Sequence, residues 1–197
     1  MTGDKLALGA AAALAALGLA KQRGSKSEER PEHFYHSTFL ENLDDIEEHG
    51  ITASEGSQFG GGYAAHSRGR VFLSGWPGVF FWMSKMEQIA HASSDFDSDG
   101  DFGWTPINLR VRSEGIDHEM VKDERGYRDS GFKESWYIEG DIDPEFIEVW
   151  DGANWEPITS VSSEDMREEA MDNSTLESED GTEWWDINFD IFMPRRG

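Results

Sequence analysis

The segment His33-Phe34-Tyr35-His36-Ser37-Thr38 decides how this chain is read, because it closes a strand signal on a histidine and hands over to a short helix and a glycine-rich stretch. Leu40, Leu43 and Ile46 recur at helical spacing and Gly50 stands where a helix C-terminal glycine belongs, which predicts a helix from about Leu40 to His49. Residues 56–70 read as loop, with Gly60-Gly61-Gly62 and Gly69 giving permissive backbone. Val79, Trp82, Met83, Met86 and Ile89 or Ala90 form a second helical stripe after Pro77-Gly78. Further on, Ile107, Leu109 and Val111 alternate with Asn108, Arg110 and Arg112, the period of a half-buried strand. Trp136 and Ile138 alternate likewise, and Phe146 to Trp150 is a further strand after the Asp143-Pro144 turn. Short strands with two helices between them predict an α+β domain.

A length of 197 residues suits one medium domain with tails. With no cysteine, disulfides, thiolate nucleophiles and cysteine-based zinc sites are excluded. Forty acidic residues against 17 basic ones give a formal charge of −23, which opposes binding to a nucleic-acid backbone, so no double-stranded DNA partner is expected. Lysine supplies six of the positive charges and arginine eleven. Acidic surface, scarce lysine and absent cysteine together resemble proteins of salt-loving organisms or their viruses, in which high ionic strength screens self-repulsion. An ordinary acidic protein with an acidic tail is the plainer account. On either account, most carboxylates here solvate the surface.

The two ends have their own character. Leu6 to Ala20 is an unbroken run of five leucines, eight alanines and two glycines, flanked by Lys5 and by Lys21, Arg23 and Lys26. It is shorter than the ~20 residues that span a bilayer comfortably. Its leucines form no single stripe, and a helix apolar all round suits lipid or a bundle. A membrane anchor is the expectation for residues 1–21, and with it membrane association of the protein. A signal peptide and a helix that packs with its own copies are the alternatives. Residues 22–32 read as a polar linker, residues 33–159 as the domain, and residues 160–183 as an acidic linker or exposed helix. In residues 184–197, Trp185, Ile187, Phe189, Ile191 and Met193 alternate with Asp186, Asn188, Asp190 and Phe192, predicting a strand. Trp184 to Met193 would either return to the domain edge or dock on a protein partner's sheet.

Three segments, read in order, resemble the core strands of the ADP-ribosyltransferase family, including the poly-ADP-ribose polymerase and diphtheria-toxin branch and the RNA 2′-phosphotransferases. They are His36-Ser37-Thr38, Gly69-Arg70-Val71-Phe72-Leu73-Ser74, and Glu-x-x-x-Ile-x-Gly-x-Ile-x-Pro from Glu134 to Pro144. The likeness covers roughly His33 to Trp150, and its motifs are short. It implies a split-sheet α+β core, here preceded by a hydrophobic helix, that holds NAD as substrate and splits it at the nicotinamide glycosidic bond. By the resemblance His36 holds a ribose hydroxyl, the backbone about Ser37 and Thr38 clamps the nicotinamide amide, and Phe72 stacks on nicotinamide. Glu134 then stabilises the cationic transition state, and ADP-ribose passes to a macromolecular acceptor.

Imidazole suits the ribose role because it can donate and accept at once, although a core histidine satisfied by backbone fits the same position. Phe72 keeps a stacking face but lacks the hydroxyl of the tyrosine usual in the family. Trp82 is the candidate for a second stacking aromatic, and simple core is its alternative. Arg68 and Arg70 could receive the NAD pyrophosphate through planar guanidinium groups, or could merely offset neighbouring acids. His66 is expected in solvent, and Glu139 stands in reserve for Glu134. Asp95, Asp97, Asp99, Gly100 and Asp101 imitate the opening of a calcium loop, yet the twelfth position is Pro106 in place of a bidentate glutamate, so no metal site is expected. A catalytically silent scaffold, tethered to a membrane or a virion, is the alternative to an enzyme. An RNA 2′-phosphotransferase relative would need a cluster of arginines, for which Arg68, Arg70, Arg110 and Arg112 are available.

Overall fold

A computed structural model describes residues 30–53, 66–93, 102–126, 131, 134–179 and 182–194. The chain divides into two units, residues 1–30 and 31–197, and the account below concerns the second. The apolar run Leu6 to Ala20 and the calcium-like loop Asp95 to Asp101 lie outside the described residues. Among those described, no helix is long and apolar enough to cross a membrane, and no cluster of side chains could hold a metal ion.

The fold is α+β. Seven antiparallel strands form one sheet in the order β4-β5-β2-β1-β3-β6-β7. They are β1 (His33–Phe39), β2 (Val71–Ser74), β3 (Pro106–Arg112), β4 (Val121–Lys122), β5 (Ser135–Ile138), β6 (Ile147–Trp150) and β7 (Trp155–Pro157). Alternation explains the centre: Phe34 in β1, Ile107, Leu109 and Val111 in β3, and Ile147 and Val149 in β6 are all buried. β1 and β3 pair along their whole length, from His33 opposite Arg112 to Phe39 opposite Pro106. By contrast, β1 and β2 share a single aligned pair, Tyr35 opposite Ser74. The sheet is therefore continuous in order but nearly unstitched at one seam.

Helix α1 (Leu43–His49) follows a 3-10 turn, Leu40–Asn42, and buries the expected Leu40, Leu43 and Ile46. It ends at Gly50, whose φ of 78° and ψ of −170° suit glycine alone. A Cβ there would come within 2.0 Å of the Ile142 carbonyl oxygen, because Ile51 and Ile142 bridge immediately beside it. Helix α2 (Trp76–Ser93) buries Val79, Met83, Met86 and Ala90, which recur every three or four residues along one face.

Of the two expectations for the acidic stretch after Ser160, linker or exposed helix, the structure shows a helix, with one side of it buried. Ser162 caps helix α3 (Ser163–Asp172) by accepting from the Asp165 N–H at 3.3 Å, and Glu164 and Asp165 favour its positive N-terminal end. Met166 and Ala170, four positions apart, are buried in the core. The strand expected through Met193 is corrected. Strands β8 (Thr175–Glu179) and β9 (Thr182–Asp186) pair as a separate hairpin, and the chain then turns through a 3-10 helix, Phe189–Phe192. Asn188 sets that turn by accepting from the Asp190 N–H at 3.2 Å. Ile187, Phe189 and Phe192 enter the core, so the residue that alternation puts on the polar side, Phe192, is fully buried.

Candidate functional site

A cavity of about 320 Å³ opens where β1 and β2 part, at the small end of the roughly 300–1,000 Å³ typical of small-molecule sites. Its wall is built from β1 beyond Tyr35, from Asn42, Asp45 and Ile46 around α1, from Ser67 and Arg70 ahead of β2, and from β2 itself. Gly50, Ile51 and Thr52 after α1, Trp82 and Met86 of α2 and Ser135 of β5 complete it.

Imidazole takes over at the seam where the backbone ladder stops. His36 Nδ1 lies 2.9 Å from the Phe72 carbonyl oxygen. A carbonyl can only accept, so Nδ1 carries the proton and Nε2 holds the lone pair. Desolvation pushes the His36 pKa below its ordinary value, against a smaller opposing effect of the Phe72 hydrogen bond, and the ring is neutral near pH 7.

Of the residues expected at the site, His36, Ser37, Thr38, Arg70, Phe72 and Trp82 all border this cavity. Their free groups differ from the expectation. The Ser37 hydroxyl donates to Asn108 Oδ1 at 2.9 Å, and Thr38 Oγ1 accepts from Asn42 Nδ2 at 3.0 Å. The Phe72 ring sits 5.5 Å from the His66 ring and 6.0 Å from Tyr137, centroid to centroid. Glu134 stands next to the cavity and outside its wall: its neighbour Ser135 borders the space, while its own carboxylate folds over Gly75. A Cβ on Gly75 would meet Glu134 Oε2 at 2.0 Å, so glycine is what makes room for the acid there. Arg68 is exposed and is no part of the wall. Arg110 is engaged by Glu148 at 2.6 Å and by the Trp155 ring, and Arg112 by Glu114 and the Glu145 carbonyl. No arginine cluster forms at the cavity, which carries Arg70 as its guanidinium and Asp45 as its carboxylate among the described residues.

His66 differs from the solvent-facing expectation. Its side chain is 23% exposed, and Nε2 lies 3.1 Å from Oδ1 of Asp123, itself 2% exposed. Asp123 also accepts from the Arg125 N–H at 3.1 Å and faces the Ser135 hydroxyl at 3.5 Å, the outer limit of hydrogen-bond range. Arg70 Nη1 reaches His66 Nδ1 at 3.3 Å and the His66 carbonyl at 3.0 Å. The same guanidinium lies 4.2 Å above the Tyr137 ring and 3.4 Å from Glu139, the acid held in reserve for Glu134. Nothing in the sequence marks Asp123 out among forty acidic residues; only its burial does.

No protein-family profile, curated protein or solved structure matches the chain.

Proposed function

We propose that this protein binds NAD in the cavity between β1 and β2 and transfers ADP-ribose from it to a macromolecular acceptor, in the manner of the ADP-ribosyltransferases that its motifs resemble. The observation that carries this reading is the seam: β1 and β2 separate beyond Tyr35 and Ser74, and His36, Phe72 and Arg70 border the space they leave. A volume of about 320 Å³ suits the nicotinamide-ribose half of the dinucleotide, with the remainder running out along the rim. His36, fixed through Nδ1, would accept a ribose hydroxyl proton at Nε2. Phe72 and Trp82 supply aromatic surface for the nicotinamide ring, and Arg70 supplies charge for the pyrophosphate.

In the reaction the C–N glycosidic bond breaks and nicotinamide leaves as a neutral molecule with the bonding pair. An acceptor lone pair forms the new bond to the ribose carbon, and the acceptor's proton passes to a base or to water. Glu134, between Gly75 and Ser135 at the cavity's edge, is the carboxylate to which the resemblance gives the task of stabilising the cationic sugar as the bond opens. The family relationship of the fold, with the cleft at the weakly paired β1–β2 seam of one sheet, belongs to the same proposal.

One observation favours a second reading, in which the chain binds the nucleotide without turning it over: the Glu134 carboxylate rests on Gly75, outside the cavity wall. Saturation-transfer NMR with NAD, followed by chromatographic detection of released nicotinamide, separates the two. Binding that is lost in His36→Ala, together with nicotinamide release, supports the enzyme. Binding without release selects the silent form, and absence of binding at millimolar NAD overturns both.

A further inference from the structure

We propose that Asp123 and His66 are positioning residues whose task is to hold the Arg70 guanidinium ready for the anionic part of the ligand. This deepens the NAD reading and rests on it.

The proton positions along the chain of contacts are settled by chemistry. A guanidinium has no acceptor, so the 3.3 Å contact between Arg70 Nη1 and His66 Nδ1 requires the lone pair on Nδ1. Nε2 then carries the proton and donates to Asp123 Oδ1 at 3.1 Å. A carboxylate, an imidazole and a guanidinium thus stand in one line, each fixing the next. A buried carboxylate is costly unless its oxygens are satisfied. Asp123 receives the His66 N–H and the Arg125 N–H, with the Ser135 hydroxyl at 3.5 Å.

Two further contacts restrain the far end of the line. The Tyr137 ring lies under the guanidinium at 4.2 Å, and the His66 carbonyl accepts from Nη1 at 3.0 Å. A long, flexible side chain ordinarily loses rotamer freedom when it grips a ligand. At this site that loss is taken during folding, so the ligand meets a guanidinium already oriented. Arg70 is also the guanidinium of the cavity wall among the described residues, so its placement decides where negative charge can rest. Glu139, exposed and 3.4 Å away, is the partner a pyrophosphate would displace.

The test compares two ligands that share the nicotinamide-ribose end. NAD carries the pyrophosphate, and nicotinamide riboside carries no phosphate. Titration calorimetry on the full chain would use Asp123→Asn, His66→Gln and Arg70→Ala beside the wild type, with circular dichroism and melting temperature as checks on folding. Asp123→Asn and His66→Gln are expected to weaken NAD by about tenfold, as loss of one charge-assisted contact does, with nicotinamide riboside unchanged. Inorganic pyrophosphate should weaken in parallel with NAD. Arg70→Ala should weaken NAD at least as much, and adding Asp123→Asn to it should cost nothing more. His66→Gln, at a partly exposed position, keeps the test open should Asp123→Asn fail to fold. Unchanged NAD affinity in folded His66→Gln, or equal weakening of both ligands, overturns the positioning role while leaving the cavity reading intact. A wild-type chain that binds neither ligand overturns both.

Discussion

The imidazole of His36 stands against the Phe72 carbonyl oxygen at 2.9 Å, one strand away, just past the last aligned pair of β1 and β2. A side chain there does what a backbone N–H does elsewhere in the sheet, and the strands are held near each other without being closed. Burial keeps that ring neutral and lowers its pKa from 6.5.

The sign of the resulting pH dependence follows from linkage. The unfolded chain takes up a proton on His36 near pH 6.5, whereas the folded chain resists protonation until lower pH. In that window the unfolded state binds more protons, so the His36 contribution to stability is full above pH 6.5 and is lost as pH falls from 6.5 toward the folded value. Urea denaturation at a series of pH values between 7.5 and 5, in wild type and His36→Asn, should show a steeper acid loss in the wild type. Parallel curves would show that the ring carries no such linkage.

Binding and chemistry separate on different residues. His36→Ala should weaken NAD by roughly tenfold to a hundredfold, consistent with ~1–3 kcal/mol for a polar contact made in a desolvated site. Glu134→Gln, whose carboxylate lies beside the cavity wall, should change NAD affinity by less than about threefold while abolishing nicotinamide release. Single-turnover assays at saturating NAD read the second effect without contamination from the first.

Gly50 is pinned by geometry. Its φ of +78° and the 2.0 Å approach that a Cβ would make to the Ile142 carbonyl oxygen predict that Gly50→Ala destabilises the fold by roughly 2 kcal/mol or more. A chemical-denaturation midpoint within error of wild type would contradict this. The same bridge seats the end of α1 against the chain after β5, so the substitution should also loosen ligand binding at the wall that Gly50, Ile51 and Thr52 provide.

Helix α3 and the closing turn are core. Met166→Ala should cost ~2–5 kcal/mol and Phe192→Ala ~3–5 kcal/mol, the range for emptying well-packed interior positions. Glu168→Ala, on the exposed face of the same helix, should fall within ~0.5 kcal/mol of wild type. Equal midpoints for Met166→Ala and Glu168→Ala would show that the helix is not docked.

These elements mark where the sequence was readable and where it was not. Period-two alternation in β3 and the Leu40, Leu43, Ile46 stripe in the first helix stand out because each buries one face against the core, and pattern follows from that burial. Helix α3 hides its two buried residues, Met166 and Ala170, among six charged ones in ten. Between Trp185 and Met193 the alternation is real, but the Asn188 side chain caps a local turn and sends Phe192 inward. At the site, His36 and Phe72 are legible because strand signals carry them, although β1, expected to close on His36, runs on to Phe39 in pairing with β3. Asp123 is not, since a single acid in an acidic chain has no spacing to betray it. Glu134 has the spacing and lacks the position, because backbone pairing at Gly75 and Glu134 directs its side chain past the end of β2.

The amide of Asn108 is fully buried, takes the Ser37 hydroxyl on one side and offers its Nδ2 to the Phe192 carbonyl, 84 positions later, at 3.4 Å on the other. Without Phe192 in place, a wholly enclosed side-chain amide loses that acceptor, so β3 depends on a turn near the far end of the chain for the satisfaction of its one interior carboxamide.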